Sequence, residues 1–255
     1  MLVVISPAKK LDFETPCNWQ ETTKPTFHEE SLTLVDELKK LEPSEISTLM
    51  KLSADLSKLN YERFQMHKKK HNTSLSKQAA FAFNGDTYTG LDIQSFSQKE
   101  LQASNQRLRI LSGLYGILRP SDLIQPYRLE MGTKFKFSDY KNLYQYWDHK
   151  ITDVLNEELA AHDYLLNCAS NEYFKVVKTK ALSTPIITPQ FRDLKNGEYK
   201  MISFFAKKAR GMMAAYAVKN KITKLNELQK FNEEGYKFNQ QLTENELEPV
   251  FTRKL

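Results

Sequence analysis

The sequence predicts a mixed α/β fold (α+β in its arrangement) in one compact unit spanning residues 1–255. Three observations carry this. A continuous apolar run of β-favouring residues opens the chain, helical periodicity fills its first third, and short apolar runs alternate with helical segments in the second half. With 40% hydrophobic and 11% aromatic residues the chain builds a sizeable core without metal or disulfides. No repeat, low-complexity tract or linker marks a domain boundary.

Leu2–Ile5 reads as a buried strand ended by Ser6-Pro7 and followed by a loop carrying Lys9 and Lys10. Leu32, Val35, Leu38 and Leu41 recur at helical spacing. Pro43-Ser44 ends that helix and starts another, and Ile46, Leu49, Met50, Leu52, Leu56 and Leu59 continue the apolar stripe. Two or three antiparallel helices result. Tyr61–His71 keeps helical character and ends in the solvent-facing Lys68-Lys69-Lys70. Five of the eight glycines fall between Gly85 and Gly132, interleaved with aromatics, so this middle section is turn-rich. Tyr164–Cys168, Pro185–Ile187 and Lys200–Phe205 read as short strands, and the alanine-rich segment Ala206–Lys219 as a helix.

Composition narrows the function classes. The two cysteines, Cys17 and Cys168, stand far apart with no Cys-x-x-Cys arrangement, which fits a reducing, cytoplasmic compartment. No apolar run reaches the roughly 20 residues of a membrane span, and the N-terminus lacks the charged region of an export signal. The net charge of +6 points to an anionic partner, and its distribution points more strongly. Four of the eight arginines (Arg107, Arg109, Arg119 and Arg128) fall within 22 residues, and from Leu101 to Leu129 Asp122 is the only acid. A second window, Tyr199–Asn226, holds seven cations and no acid.

Three candidate sites follow. In the first, Gly113 and Gly116 are framed by Arg107, Arg109 and Arg119, so that backbone N–H groups approach a phosphate while guanidiniums neutralise it. A glycine turn packed in the core with arginines snorkelling outward fits the same residues equally well. The second is Lys207, Lys208 and Arg210 in the opening turns of a helix, where the positive end of the helix dipole disfavours cations unless an anion arrives. The third is Ser6, Lys9 and Lys10 at the end of the first strand. There a lysine serves as an amine nucleophile or a phosphate contact, with Asp86, Glu130 and Glu172 as acid/base groups or as ion-pair partners for the arginines. His67 and His71 have the i, i+4 spacing of metal ligands, but three lysines intervene and no third ligand is in view, so no metal or other cofactor is expected. Trp19, Trp147, Tyr144 and Tyr146 read as packing residues.

The elements Ile5–Asp12, Leu59–Phe64, Gly85-Asp86-x-Tyr88-x-Gly90, Leu108–Gly132, Ala169–Lys175 and Ile202–Gly211 together resemble the YaaA peroxide-stress family of bacteria over nearly the whole chain. The resemblance implies a family-specific compact α/β fold with a positively charged cleft and a helix-hairpin-helix element. It also implies binding of double-stranded and structured DNA (bubble or junction-like), and a role in surviving hydrogen peroxide linked to DNA repair and to limiting free iron. On that basis the DNA-contacting set is Lys9, Lys10, Arg107, Arg109, Gly113, Gly116, Arg119, Arg128, Lys207, Lys208 and Arg210, with no catalytic residue. The expected geometry places the arginines and the Gly113–Gly116 turn on one wall of a basic cleft and Lys207–Arg210 on the other. An enzyme acting on nucleic acid or nucleotides, with Lys9 as nucleophile and Asp86, Glu130 and Glu172 as acid/base groups, is the alternative.

Overall fold

The computed structural model describes residues 1–254. Strand β1 (Leu2–Ile5) is buried along its whole length, as a continuous apolar run requires when both faces of a parallel sheet are covered. It lies at the centre of a five-stranded sheet with β2 (Leu108–Ser112), β3 (Gly116–Leu118), β4 (Leu165–Cys168) and β5 (Ile186–Ile187), in the order β3-β2-β1-β4-β5. All neighbours are parallel except the β2–β3 hairpin, and the register sets Ile5 beside both Ile110 and Cys168. The chain leaves β1 for β2 on one side and later returns as β4 on the other. A crevice therefore opens at the carboxyl ends of β1 and β4, the place where sheets of this kind bind ligands.

A second sheet follows from β6 (Gln190–Lys195), β7 (Glu198–Lys200), β8 (Lys237–Phe238) and β9 (Val250–Lys254), in the order β7-β6-β9-β8. Helices α1 (His28–Leu38), α2 (Pro43–Met50) and α3 (Ala54–Met66) fill the first third where helical periodicity is found, but the stripe does not continue into the core along α3: Leu56 and Leu59 are exposed, and Ser57, Asn60 and Phe64 are the buried face. α4 (Asp86–Leu91), α5 (Gln98–Arg107), α6 (Lys150–Leu159), α7 (Asn171–Phe174) and α8 (Ser203–Lys219) support the sheets. Buried hydrophobic residues from Met1 to Phe251 form one contiguous core.

Three local expectations are corrected. Lys200–Phe205 is not a strand: β7 ends at Lys200 and α8 begins at Ser203, because the alanine-rich continuation commits the aromatic pair to its helix. α3 stops at Met66, so His67 and His71 do not share a helix. Gln125 pulls the chain out of the helix there, accepting from the Lys68 amide at 3.0 Å and donating to the Lys68 carbonyl at 2.8 Å. The Gly113–Gly116 turn joins β2 to β3 in the core, which favours its packed-turn reading over the phosphate-approaching one. It is fully buried, with the Trp147 indole donating to the Gly113 carbonyl at 3.0 Å. Gly116 takes φ +70, and a Cβ there would press on Trp147 and Phe27.

Candidate functional site

The loop after β1 (Ser6–Lys10) and the loop after β4 (Ala169–Glu172) meet at the sheet edge. The Ser170 amide donates to Ser6 Oγ at 2.8 Å, and the two seryl oxygens lie 3.3 Å apart. The buried Tyr88 of α4 fastens the first loop from below by donating its hydroxyl to the Ser6 carbonyl at 3.1 Å. Helix α8 completes the site. Gly90 and Gly211 face each other where α4 and α8 cross: a Cβ at Gly90 would overlap the Lys208 carbonyl, and one at Gly211 would overlap the Thr87 carbonyl. Only glycine at both positions allows so close a crossing. It brings Lys207 and Arg210 against the Gly85–Thr87 turn and the two strand-end loops.

The result is a cavity of about 340 Å³ lined by Lys9, Lys10, Lys207 and Arg210, by Asp86, Glu130 and Glu172, and by Ser6 and Ser170. Lys9 lies 3.1 Å from Glu130 Oε1, the same oxygen that Arg128 reaches at 3.1 Å. The other oxygen of Glu130 is buried and has no hydrogen-bond partner among the described residues. Glu172 accepts from the Gly132 amide at 3.0 Å, which ties the family-like Leu108–Gly132 block to the β4 loop. Arg210 is the outlier. Half-buried, it has no carboxylate partner and no hydrogen bond among the described residues, and burial pulls its guanidinium below the ordinary arginine range. Its titratable neighbour, the Cys168 thiol, is pushed up to about 12 by burial and stays neutral beneath it.

The sequence-derived residues thus divide. Lys9, Lys10, Lys207 and Arg210 line one cavity, with Arg128 joined to it through Glu130, and the three carboxylates come to the same place. The other arginines of the first window do not, so the two-walled cleft expected of the basic windows is corrected. Arg109 points from a central strand into a bidentate pair with Glu158 at 2.7–2.9 Å, and Arg107 donates to the Ile222 carbonyl at 3.4 Å beside the buried N-terminus. Arg119 lies with Arg109, Glu21 and Asn105 around a separate depression. Lys208 pairs with Glu234.

Sequence reasoning also missed residues in and around the site. Arg63 of α3 lies near Arg128, and burial followed by the Arg128 charge holds its guanidinium below the ordinary range. Its one signal was membership of the Leu59–Phe64 element. Tyr173 and Cys168 line the cavity floor, where apolar runs give no cue. Away from the cavity, His28 joins His67 and His71 in a buried cluster with ring centroids 4.7 and 5.5 Å apart. No group of three His, Cys, Asp or Glu side chains converges on a metal position among the described residues.

These features define a mixed α/β protein with a charged cavity at the carboxyl ends of two parallel strands. The family described as "Peroxide stress protein YaaA" matches residues 1–242, and the chain belongs to that family. It is 52% identical to a UPF0246 protein of Saccharophagus degradans over 256 residues, covering 100% of both chains. It is similarly 52% identical to one of Pseudoalteromonas translucida, covering 99% of this chain and 98% of the relative. A UPF0246 protein of Burkholderia cenocepacia is 50% identical over 93% of each chain. No helix among the described residues is long and apolar enough to cross a membrane.

Proposed function

We propose that this peroxide-stress family member binds DNA through its phosphate backbone, largely without sequence preference, and thereby shields or helps repair DNA under peroxide while limiting free iron. One observation carries the reading: Lys9, Lys10, Lys207 and Arg210 crowd around one cavity, and the Arg210 charge has no counter-ion within the described chain. A desolvated cation without a partner costs several kcal/mol, so a site that retains one is suited to an incoming anion. Support for a helix-hairpin-helix element comes from the helix pair α2 and α3, whose turn has Lys51 at φ 53 and Ser53 capping α3. Fluorescence anisotropy of a labelled duplex across a salt series tests the reading. Affinity falls steeply with salt, and Lys207→Ala and Arg210→Gln each lower the slope by about one. Absence of duplex binding at low salt, or binding indifferent to salt, sinks it.

A second reading has its own support, because Lys9, Asp86, Glu130 and Glu172 line that same cavity. In this reading the protein is an enzyme acting on nucleic acid or nucleotides, with the Lys9 amine attacking an aldehyde such as an abasic sugar. Borohydride would trap the resulting imine. A covalent adduct that Lys9→Met abolishes supports this reading, and failure to trap any DNA aldehyde rules it out.

A further inference from the structure

The cavity at the strand ends is not isolated. A second cavity of about 600 Å³ lies beyond β4 and is lined by Asn171, Phe174, Ile186, Gln190 and Met201, and Arg210 lines this one as well. The two chambers differ in chemistry. The first carries four cations, the three carboxylates Asp86, Glu130 and Glu172, and two seryl hydroxyls. The second has apolar faces from Phe174 and Ile186 set among carboxamides, the Thr179 and Thr188 hydroxyls, Arg192 and Glu248. Of the carboxamides, Asn171 is exposed and has no hydrogen bond from its side chain among the described residues, whereas Gln190 is engaged with Glu248 at 2.9 Å and with Arg192 at 2.9 Å. Met201 is 65% exposed at the rim, an apolar surface with nothing packed on it.

An unpartnered guanidinium shared by a chamber of mixed charge and one with two apolar faces and a free amide matches a ligand that is anionic in the middle, polar at one end and flat and apolar at the other. We infer that the two chambers form one site for a nucleoside phosphate. Its phosphate is held by Arg210, its base lies against Phe174 and Ile186 within reach of the Asn171 carboxamide, and its sugar or next phosphate faces Lys9 and Lys207. Both chambers lie in the size range of small-ligand pockets, about 300–1,000 Å³, so a paired duplex does not enter them. An unpaired or extruded nucleotide of a DNA strand does, and so does a free mononucleotide. The inference deepens the DNA reading of the same site and rests on it for the first of these two sources.

The test uses the full chain. A short fluorescein-labelled single strand and the same strand as a blunt duplex are titrated by anisotropy, with unlabelled deoxyadenosine monophosphate and inorganic phosphate as competitors. The nucleotide displaces the single strand at concentrations where inorganic phosphate does not. Arg210→Gln weakens single-strand and nucleotide binding by about 10- to 100-fold, the factor that one lost hydrogen bond to a charged group carries. Hydrogen–deuterium exchange on the unmodified protein supplies a readout independent of any variant: the nucleotide protects residues 167–174 and 203–211. A nucleotide that competes no better than inorganic phosphate, or that protects neither segment, overturns the two-chamber site. If duplex binding persists in that case, the backbone reading stands alone. If the nucleotide binds and protects while neither DNA form does, the chambers serve a free nucleotide and the DNA reading falls.

Discussion

Arg109→Ala separates a structural arginine from a phosphate-contacting one. Its side chain is 6% exposed and its partner Glu158 is 19% exposed, so the pair is largely dry. Nε reaches both Glu158 oxygens at 2.9 and 2.8 Å, Nη2 reaches one at 2.7 Å, and Nη1 donates to the Asn105 and Leu108 carbonyls at 2.8 and 2.7 Å. Every nitrogen of the guanidinium is spent inside the fold. Removing it leaves Glu158 without its counter-ion, and breaking one side of such a pair costs about 3–5 kcal/mol. For a chain of this size the melting temperature then falls by about 6–20 °C. Arg109→Met with Glu158→Leu recovers most of the loss, because no unpaired charge remains. Differential scanning calorimetry measures both variants, and anisotropy on the folded fraction of Arg109→Ala gives DNA affinity per native molecule, which stays at the wild-type value. A variant that melts within about 2 °C of wild type yet loses DNA affinity refutes the argument.

Arg210 is predicted to behave in the opposite way. Arg210→Met keeps the aliphatic packing, removes an uncompensated charge and stabilises the protein by about 0.5–2 kcal/mol while weakening anion binding; a lower melting temperature shows that the guanidinium has a structural partner. Gly211→Ala drives a methyl group into the Thr87 carbonyl, costs about 1–3 kcal/mol by overpacking, and weakens binding by moving Lys207 and Arg210, both read from denaturation and anisotropy. His67 supplies a pH dependence. Burial, then the His71 charge, holds its imidazole down to about 3, so it folds neutral, and stability present above the unfolded value near 6.5 is lost as pH falls toward 3. Over pH 7.5 to 5 its share is about 2 kcal/mol. Asp122 works against it, since burial raises that carboxyl to about 6 and makes its protonation favour the fold below that pH. Urea denaturation at the two pH values isolates the histidine: His67→Leu loses about 2 kcal/mol less than wild type between them, and equal losses sink the assignment.

The parts of the fold legible in the sequence are those whose cause is local. β1 is a run of apolar residues, α1 to α3 have helical spacing, and α8 is alanine-rich, so each announces itself. What decided the site is not local. Arg109 and Arg210 are the same residue type in equally basic windows, and only the tertiary partner distinguishes them: Glu158 lies 49 positions along the chain, while Arg210 has no carboxylate among the described residues. The Gly113–Gly116 turn fitted a phosphate loop and a packed turn equally well in sequence, and the indole of Trp147 is what commits it to the core. In the same way the functional meaning of Gly90 and Gly211 arises from their pairing across 121 positions, which no window of the chain contains. The Ser6, Lys9 and Lys10 loop was readable because the end of a buried strand is a place where polar chemistry collects.

Membership of a peroxide-stress family raises the question of whether the protein reacts with peroxide itself, and its thiols bear on that. The nucleophile in such a reaction is a thiolate, and reactive cysteines have a lowered pKa and partial exposure. Cys168 is 1% exposed at the end of β4, and burial pushes its thiol up to about 12 despite the Arg210 charge above it. Cys17 is half-buried, and burial raises it too. Both therefore remain protonated at neutral pH and are poor peroxide targets. Intact-mass spectrometry after a hydrogen peroxide titration should show neither sulfenic nor sulfinic acid at Cys168 until the protein unfolds, and Cys168→Ser should leave anion binding in place. Rapid oxidation of native Cys168 would contradict the burial argument and make the thiol part of the peroxide response. Without that oxidation neither thiol is the peroxide-reactive group, and the unpartnered Arg210 cation above Cys168 is better suited to the anionic ligand proposed for the cavity than to a neutral oxidant.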